Sequence, residues 1–358
     1  MISRLALTAL MLLASCTPPP ASAKRHATPE PLIISSHWKR ALDRRFSRIG
    51  DIVAPDTKAA WVVGSWHAAE DQPAHGRIGR WDDSRWQVQR LGEDRSFWTV
   101  DASGPRNVWM AGGRGAVRRW DGERYHDSQP AGPDYHALDL AVDGRRAVLT
   151  STTWNAGDPV AVVSWDGERV TKTFVDFGFR AVAAGQGHTW IAGVRKGDKC
   201  GPDQPMVSHR APGDRGFHPV SVPGDGALAA LAYDSPSNVW AVGRTGDACG
   251  RDNRPLILHW DGRSWQKATL PDWTGKLTTV GASGREVWAA GVDEKTRPWQ
   301  VMTLHFDGSR WTREYVMVGN AEDEDVVTSV RLARVPGTSR MWLAGSLNDA
   351  AGFVYRSR

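Results

Sequence analysis

The stretch VWAVG at residues 239–243, followed by HWDGRSW at residues 259–265, decides the fold of this 358-residue chain. The first piece is an apolar strand that contains a central tryptophan and ends in glycine. The second piece carries Asp-Gly between two tryptophans. Asp-Gly between apolar runs is a strong signal for a tight hairpin, because glycine adopts positive φ readily and aspartate tolerates it. These two pieces therefore predict successive antiparallel β-strands.

The same unit recurs along the chain. Copies of the Trp-Gly strand occupy residues 60–64, 108–112, 189–193, 239–243, 287–291 and 341–345, with a degenerate copy at 147–150. Their central residues are 39 to 54 positions apart, which is the spacing of four-stranded propeller blades. A further apolar strand precedes each copy, as at residues 277–280. We therefore predict four strands in each of seven repeats. The preceding strand is A, the Trp-Gly strand is B, and the Asp-Gly turn joins strands C and D.

The last repeat ends after residues 353–355, which supply only its third strand. The missing fourth strand is predicted at residues 38–42, near the other end of the chain. The sequence thus predicts an all-β, seven-bladed propeller over residues 32–358, in which an N-terminal strand completes the blade formed by residues 326–357. This closure leaves no open sheet edge between the first and last blades.

Composition narrows the function classes. Hydrophobic residues make up 41% of the chain and charged residues 24%, so a packed core is possible and general disorder is excluded. The net charge of +5 comes from 45 basic and 40 acidic residues and is spread along the chain. This pattern is not typical of nucleic-acid binding, and we predict no nucleic-acid partner.

The N-terminal sequence predicts that the protein is exported from the cytoplasm. Arg4 precedes an apolar run at residues 5–14 that is too short to span a bilayer, so residues 1–15 are predicted to be a signal peptide. The sequence LASC at residues 13–16 resembles the lipobox of bacterial lipoproteins, which implies that Cys16 is lipidated. Residues 16–31 are then a flexible tether, and we expect an extracytoplasmic protein that contacts the cell membrane through its lipid alone. The alternative is free secretion after cleavage at the Ala-Ser-Ala sequence of residues 21–23.

The repeats resemble those of bacterial extracytoplasmic β-propeller proteins that carry VWAVG and HWDGxxW patterns. The resemblance covers nearly all of residues 32–358 and implies a fold but no single activity. The Asp-Gly-x-x-Trp piece is also distantly similar to the Asp-box of sialidase-type propellers. It lacks the serine of that box and the residue between Asp and Gly, and no arginine triad or tyrosine-glutamate pair can be assigned.

The nineteen tryptophans divide into two groups. Six lie on strand B and eight flank the C–D hairpins, and we interpret these as packing between blades. The remaining five fall in B–C or D–A connections or at the start of strand A, which share one face of a propeller. Loops on one face of a rigid scaffold commonly carry binding residues. With their polar and aromatic neighbours, they give the candidate ligand-binding set Trp66, His67, Trp98, Tyr135, His136, Trp154, Arg180, Trp273 and Trp299. The alternative is that some of these side chains plug the channel or cover loop bases.

Cys200 and Cys249 occur in similar contexts, GDKCGPD at residues 197–203 and GDACGRD at residues 246–252. Both fall in B–C loops, on adjacent blades. Outside the cytoplasm such a pair favours a disulfide. The flanking aspartates lack the dense spacing of a calcium loop, so we predict no metal and no cofactor.

Two functions remain. One is a surface-anchored binding or scaffold propeller that presents its loop face to a glycan, a peptide or a protein partner. The other is a propeller enzyme, such as a glycan hydrolase or lyase, that acts at the same face. No nucleophile, metal cluster or paired-carboxylate signature stands out, so catalytic residues stay unassigned. The sequence therefore favours the binding function over the enzyme. We expect the protein to be a monomer.

Overall fold

The computed structural model describes residues 33–43, 45–67, 74–92, 95–153, 155, 157–176, 178–246, 249, 253–296, 300–318 and 326–358. One compact unit spans Ile33–Arg358. The predicted signal peptide, the tether and Cys16 lie outside the described residues.

The described chain is built almost entirely from β-strands. In chain order these are β1 (Trp38–Asp43), β2 (Arg48–Val53), β3 (Ala59–Trp66), β4 (His75–Asp82), β5 (Trp86–Arg90), β6 (Phe97–Gly104), β7 (Asn107–Gly112), β8 (Val117–Trp120), β9 (Tyr125–Ser128), β10 (His136–Asp143), β11 (Arg146–Thr152), β12 (Val160–Trp165), β13 (Val170–Val175), β14 (Phe179–Gly185), β15 (His188–Arg195), β16 (Gln204–Arg210), β17 (His218–Val220), β18 (Ala227–Ser235), β19 (Asn238–Thr245), β20 (Arg254–Trp260), β21 (Trp265–Lys267), β22 (Lys276–Ser283), β23 (Glu286–Asp293), β24 (Gln300–Phe306), β25 (Trp311–Val316), β26 (Val327–Arg334), β27 (Met341–Leu347) and β28 (Ala351–Ser357). Two single 3-10 turns, Gly113–Gly115 and Asp198–Cys200, interrupt them.

The strands form seven four-stranded antiparallel sheets, the blades of a ring. Blades 1 to 6 take consecutive groups of four strands from β2 to β25, and blade 7 contains β26, β27, β28 and β1. Strand A of each blade lines the centre and strand D lies outermost. The prediction of an all-β, seven-bladed propeller is therefore confirmed.

The N-terminal strand closes the ring as predicted. In blade 7, β1 pairs antiparallel with β28, so that Trp38 lies opposite Ser357. The segment before β1 also contacts blade 6, which the sequence did not predict. The Ser35 N–H donates to the Tyr315 carbonyl at 2.8 Å, and the Tyr315 N–H donates to the Ile33 carbonyl at 2.9 Å. The first described residues therefore connect two neighbouring blades.

The core lies between the blades. The buried apolar side chains form seven clusters, one at each interface between adjacent blades. The strand B tryptophans form part of these clusters, and Trp61, Trp109, Trp190 and Trp342 are at most 2% exposed. The interpretation of these residues as packing between blades is confirmed, because burial of such large rings is a major source of stabilisation.

Each strand B indole is covered by the residue directly opposite on strand C. In blades 4, 5 and 6 that residue is an imidazole, stacked on the indole with ring centroids 4.0 to 4.2 Å apart, in the pairs Trp190–His209, Trp240–His259 and Trp288–His305. In blades 1, 2 and 7 it is a guanidinium 5.2 to 5.4 Å from the ring, in the pairs Trp61–Arg80, Trp109–Arg119 and Trp342–Arg356. Blade 3, the degenerate repeat, has Val148 opposite Ser164 instead. The three strand C histidines are thus packing residues.

The glycine that ends each Trp-Gly strand has a steric cause. Strand A of blade 5 bulges between Leu228 and Ala230, and Gly243 lies opposite Leu228. A Cβ on Gly243 would lie 1.8 Å from the Ala227 carbonyl oxygen. An added Cβ would meet a carbonyl oxygen of strand A, or of the residue just before it, at 1.8 to 2.1 Å in the same way at Gly64, Gly112, Gly193, Gly291 and Gly345. Strand A can approach strand B this closely only where strand B has no side chain.

We expect Gly243→Ala to destabilise the propeller by about 1–3 kcal/mol, because the added methyl group forces strands A and B of blade 5 apart. Urea denaturation measures the change in the free energy of unfolding. The matched control is Gly216→Ala, since a Cβ at Gly216 meets no atom within 4 Å. Equal stability of the two variants would show that the bulge does not require glycine.

Candidate functional site

The seven A strands enclose a central cavity of about 540 Å³. Its wall is chemically uneven around the ring. Blades 1 to 3 contribute the carboxylates of Asp51, Asp101 and Asp139, whereas blades 5 and 6 contribute mostly small side chains such as Ala230 and Gly281. The cavity is therefore acidic on one side and lined by small residues on the other.

The three carboxylates join neighbouring blades. Asp51 Oδ2 accepts hydrogen bonds from the Val100 N–H at 3.0 Å and the Thr99 hydroxyl at 3.1 Å. Asp101 accepts from the Val142 N–H at 2.7 Å. Asp139 accepts from the Val182 N–H at 2.8 Å. Each carboxylate thus bonds to strand A of the next blade, and together they link blades 1 to 4.

Burial controls the ionisation of these groups, because a carboxylate loses hydration when it leaves water. Burial raises the pKa of Asp101 to about 7, and the negative charges of Asp51 and Asp139 raise it as well. Burial also raises the pKa of Asp139 to about 7. The pKa of Asp51 is raised by burial against the opposing effect of Arg331, whose Nε lies 3.9 Å from Asp51 Oδ1. Asp101 and Asp139 therefore titrate near neutral pH.

Arg180 is the predicted site residue that lies at the cavity. It is exposed, lines the wall and occupies the bulge of β14 between Phe179 and Ala181. Its carbonyl accepts a hydrogen bond from the Thr150 hydroxyl at 2.6 Å, which fixes the backbone of Arg180 against blade 3.

The structure brings Trp98 and His136 together. Their rings stack with centroids 6.0 Å apart and planes 16° from parallel, although they belong to blades 2 and 3. His136 Nδ1 accepts from the Arg114 N–H at 3.2 Å, and burial together with Arg114 lowers the pKa of His136. Tyr135 lies beside this pair in the chain, with the Lys172 ammonium 5.0 Å from its ring centre. Aromatic and basic groups of two blades thus meet on the B–C and D–A face.

Two other candidates lie at the end of blade 1. Trp66 is half-buried, with the Arg77 guanidinium 4.6 Å from its ring centre. His67 lies near blade 7, where its Nε2 is 3.1 Å from the Asp349 carbonyl oxygen. These side chains are not part of the Trp98–His136 pair.

Trp273 is only 6% exposed and belongs to the apolar cluster between blades 5 and 6. The Arg313 guanidinium lies 5.1 Å from its ring centre. The D–A connection of blade 5 folds this tryptophan inward, so it matches the alternative that some loop aromatics cover loop bases.

The remaining candidates lie outside the described residues. These are Trp154 and Trp299, and the side chain of Cys200 is also not described. Cys249 lies among the described residues. Its pairing with Cys200 stays a prediction.

Sequence reasoning missed the three carboxylates of the central cavity. Asp51 and Asp139 directly follow the strand A bulge, and Asp101 lies two positions further along its strand, after Thr99. An acidic residue at or soon after the strand A bulge was the available signal, but it occurs in only three repeats and so does not appear in the repeat pattern.

The hairpin aspartates have a structural role. In blade 5 Asp261 Oδ1 accepts from the N–H groups of Arg263 and Ser264 at 2.8 and 2.9 Å, and these bonds lower the pKa of Asp261. Asp121, Asp166 and Asp307 make the same turn contacts. The Asp-Gly-x-x-Trp pieces therefore build turns on the face opposite to the candidate site residues.

Two features are absent from the residue ranges given above, a membrane-spanning helix and a cluster of metal ligands. No helix there has the length and apolar character to cross a bilayer. No group of three or more His, Cys, Asp and Glu side chains there is arranged to hold a metal ion.

No protein-family model and no curated protein sequence matches this chain. Solved structures match its fold. The structure "YCF48 bound to D1 peptide" is 15% identical with a TM-score of 0.59, covering 91% of this chain and 96% of that one. YCF48 from Cyanidioschyzon merolae is 13% identical with a TM-score of 0.56, covering 90% and 99%. U3-55K is 12% identical with a TM-score of 0.62, covering 91% and 99%. Identity this low shows a shared β-propeller fold and no more.

We expect Asp101→Asn and Asp139→Asn to stabilise the protein at pH 8. The folded pKa of about 7 lies above the usual value of 3.8, so these groups contribute their full stability below about pH 4 and lose it as pH rises through 7. Asparagine keeps an oxygen acceptor and carries no charge. Each variant should melt like the wild type near pH 4 and at least about 2 °C higher at pH 8, roughly 1 kcal/mol in a large domain.

Thermal melts between pH 4 and 8 test this expectation. Asp127→Asn is the control of opposite sign, because the hydrogen bond and charge of Arg118 lower the pKa of Asp127. That variant should lose stability at both pH 8 and pH 4, because a lowered pKa keeps Asp127 charged in the folded protein across this range and its stabilisation is lost only at lower pH. A lower melting temperature for both channel variants at pH 8 would contradict the assignment.

Proposed function

We propose that this protein is an extracytoplasmic binding propeller that holds a partner on its B–C and D–A face, at the mouth of the central cavity. One observation carries the proposal. Arg180 is exposed at the cavity wall, and its hydrogen bond to the neighbouring blade is made by its backbone carbonyl. An exposed cation beside a concave, polar opening suits the recognition of a ligand.

The neighbouring groups support the same face. The half-buried Trp98 and the buried His136 stack across two blades, and Arg114 is exposed beside them. Rigid aromatic rings with adjacent basic groups are typical of protein interfaces. We therefore propose a peptide or a protein segment as the first partner and a glycan as the second. YCF48, a propeller of similar fold, has been solved bound to a D1 peptide, which makes a peptide the first ligand to test.

Catalysis is the second candidate function. The observation in its favour is that Asp101 and Asp139 line the cavity and titrate near pH 7, as a general acid or base requires. Both carboxyl groups, however, accept backbone hydrogen bonds from the next blade. This structural use favours binding over a glycan hydrolase or lyase. Release of reducing sugar from bacterial cell-wall glycans by the wild type, and its loss in Asp101→Asn, would reverse that preference.

We also propose that the protein is anchored to the cell membrane through a lipid on Cys16, and that Cys200 pairs with Cys249. The lipobox-like sequence supports the anchor, and the similar sequence contexts of Cys200 and Cys249 support the pairing. The anchor would hold the propeller at the outer side of the membrane, where disulfides persist.

We expect Arg180→Ala to weaken binding about tenfold or more, which corresponds to roughly 1.4 kcal/mol. The wild type is first used to select ligands from a random-peptide display library and a glycan array, and the affinities of the selected ligands are then measured. Trp98→Ala tests the neighbouring aromatic pair. The control is Arg263→Ala, an exposed arginine on a C–D hairpin of the opposite face. Ligands that lose affinity equally with the control, or that keep it in Arg180→Ala, would contradict the proposed face.

Mass spectrometry of the exported protein tests the covalent proposals. We expect a mature chain that begins at a lipid-modified Cys16 and in which alkylation without reduction labels neither Cys200 nor Cys249. A chain that begins at Lys24 without lipid would contradict the anchor. Two labelled cysteines in the unfolded, unreduced chain would contradict the disulfide.

A further inference from the structure

Three arginines meet at the end of blade 1 on the B–C and D–A face. Arg77 of β4 and Arg90, the last residue of β5, lie directly opposite each other. Residues opposite each other in an antiparallel pair share one side of the sheet, with Cβ atoms about 5 Å apart. The Arg77 Nη1 group donates to the carbonyl of Arg45, in the segment that enters blade 1 from β1. The chain therefore brings three guanidinium groups into one small region.

The positive charges of the three arginines repel one another. Burial lowers the pKa of Arg77, and the charges of Arg90 and Arg45 lower it further. Like charges directly opposite each other on a sheet are destabilising. In the part of the chain that the structure describes, no carboxylate forms an ion pair with Arg45, Arg77 or Arg90, and the buried Arg77 Nε has no hydrogen-bond partner.

Other arginines on this face differ from these three. Arg95 and Arg118 both bind Asp127, at 2.6 Å. Arg244 binds the fully buried Asp203 at 2.6 Å. The fold thus supplies carboxylates to neighbouring arginines but supplies none, within the described ranges, to the cluster on blade 1.

Neighbouring side chains hold the cluster in place. The ring of Trp66 lies under the Arg77 guanidinium at 4.6 Å, which positions a cation by its ring face. His75 Nε2 lies 2.7 Å from Arg90 Nη2. Because arginine can only donate, His75 accepts through this nitrogen and orients Arg90. Two of the three guanidinium groups are therefore positioned by uncharged partners, which leave their charge uncompensated.

We propose that Arg45, Arg77 and Arg90 form a subsite for a phosphate group of the ligand. A guanidinium fork pairs with two oxygens, so a carboxylate satisfies one arginine, whereas a phosphate offers enough oxygens and charge for several. The inference rests on the proposed function, because the subsite lies on the same face of the propeller. It narrows the partner to one that carries phosphate and places Trp66 beside that group.

Inorganic phosphate is the probe, and it is titrated at constant ionic strength against chloride and acetate. We expect the wild-type melting temperature to rise saturably with phosphate, and calorimetry to give a matching dissociation constant. Arg90→Gln should weaken phosphate binding at least fivefold, and the Arg77→Gln, Arg90→Gln double variant should abolish it. The control Arg263→Gln, on the opposite face, should bind as the wild type does.

The same titration can overturn the inference. Unchanged phosphate binding in the double variant, or equal binding of acetate, would do so. Because Arg77 contacts Trp66 and the Arg45 backbone, its replacement could unfold the blade, so the single variant of the exposed Arg90 keeps the test decisive. The subsite and the proposed function fail separately. If phosphate does not bind, capture of a peptide or glycan at Arg180 can still be measured. If that capture fails, phosphate binding can still be observed.

Discussion

The ring depends on the contacts between blades, and six of the seven blades supply a strand B indole whose two ring faces must be covered. One side is covered within the blade by the strand C imidazole or guanidinium, as where Arg80 lies over Trp61. At several contacts the other is covered by an aromatic side chain of the next blade, as where Trp165 of blade 3 meets Trp109 edge-on at 4.9 Å. A flat cation or imidazole on an aromatic face adds electrostatic attraction to the burial of area. The basic side chains of strand C that lie opposite the strand B indoles therefore belong to the core.

Features that repeat could be predicted from sequence, because each copy reinforces the others. The Trp-Gly strand, the Asp-Gly turn and the displaced strand at Trp38 fixed the number of blades and the closure. Features that break the repeat could not be predicted in this way. Trp273 follows Pro271 in a connecting loop, yet its position in the core is set by the return of that loop over the interface between blades 5 and 6. Likewise Trp98 and His136 are far apart in the chain, and only the curvature of the ring brings them together.

The ring is chemically asymmetric, because the residues that break the repeat pattern lie in particular blades. Blades 1 to 3 supply the channel carboxylates, and the Trp98–His136 pair joins blades 2 and 3. Blade 1 also carries Arg77 and Arg90 without described carboxylate partners. Blade 3 has lost its strand B tryptophan, and blades 5 and 6 line the cavity with small residues. A scaffold of nearly equivalent blades thus presents different chemistry at each sector of the ring.

The pairing of β1 with β28 also orders the folding of the chain in time. Strands within a blade are close in sequence, so blades 1 to 6 form from local contacts as soon as their residues are available. Blade 7 is different, since Trp38 must wait for Ser357, which is nearly the last residue. A chain that crosses a membrane N-terminus first would therefore expose the unpaired β1 throughout its transfer. The contact of residues 33–35 with β25 needs only strands that precede β28, so it can hold β1 beside the site that the final strand completes.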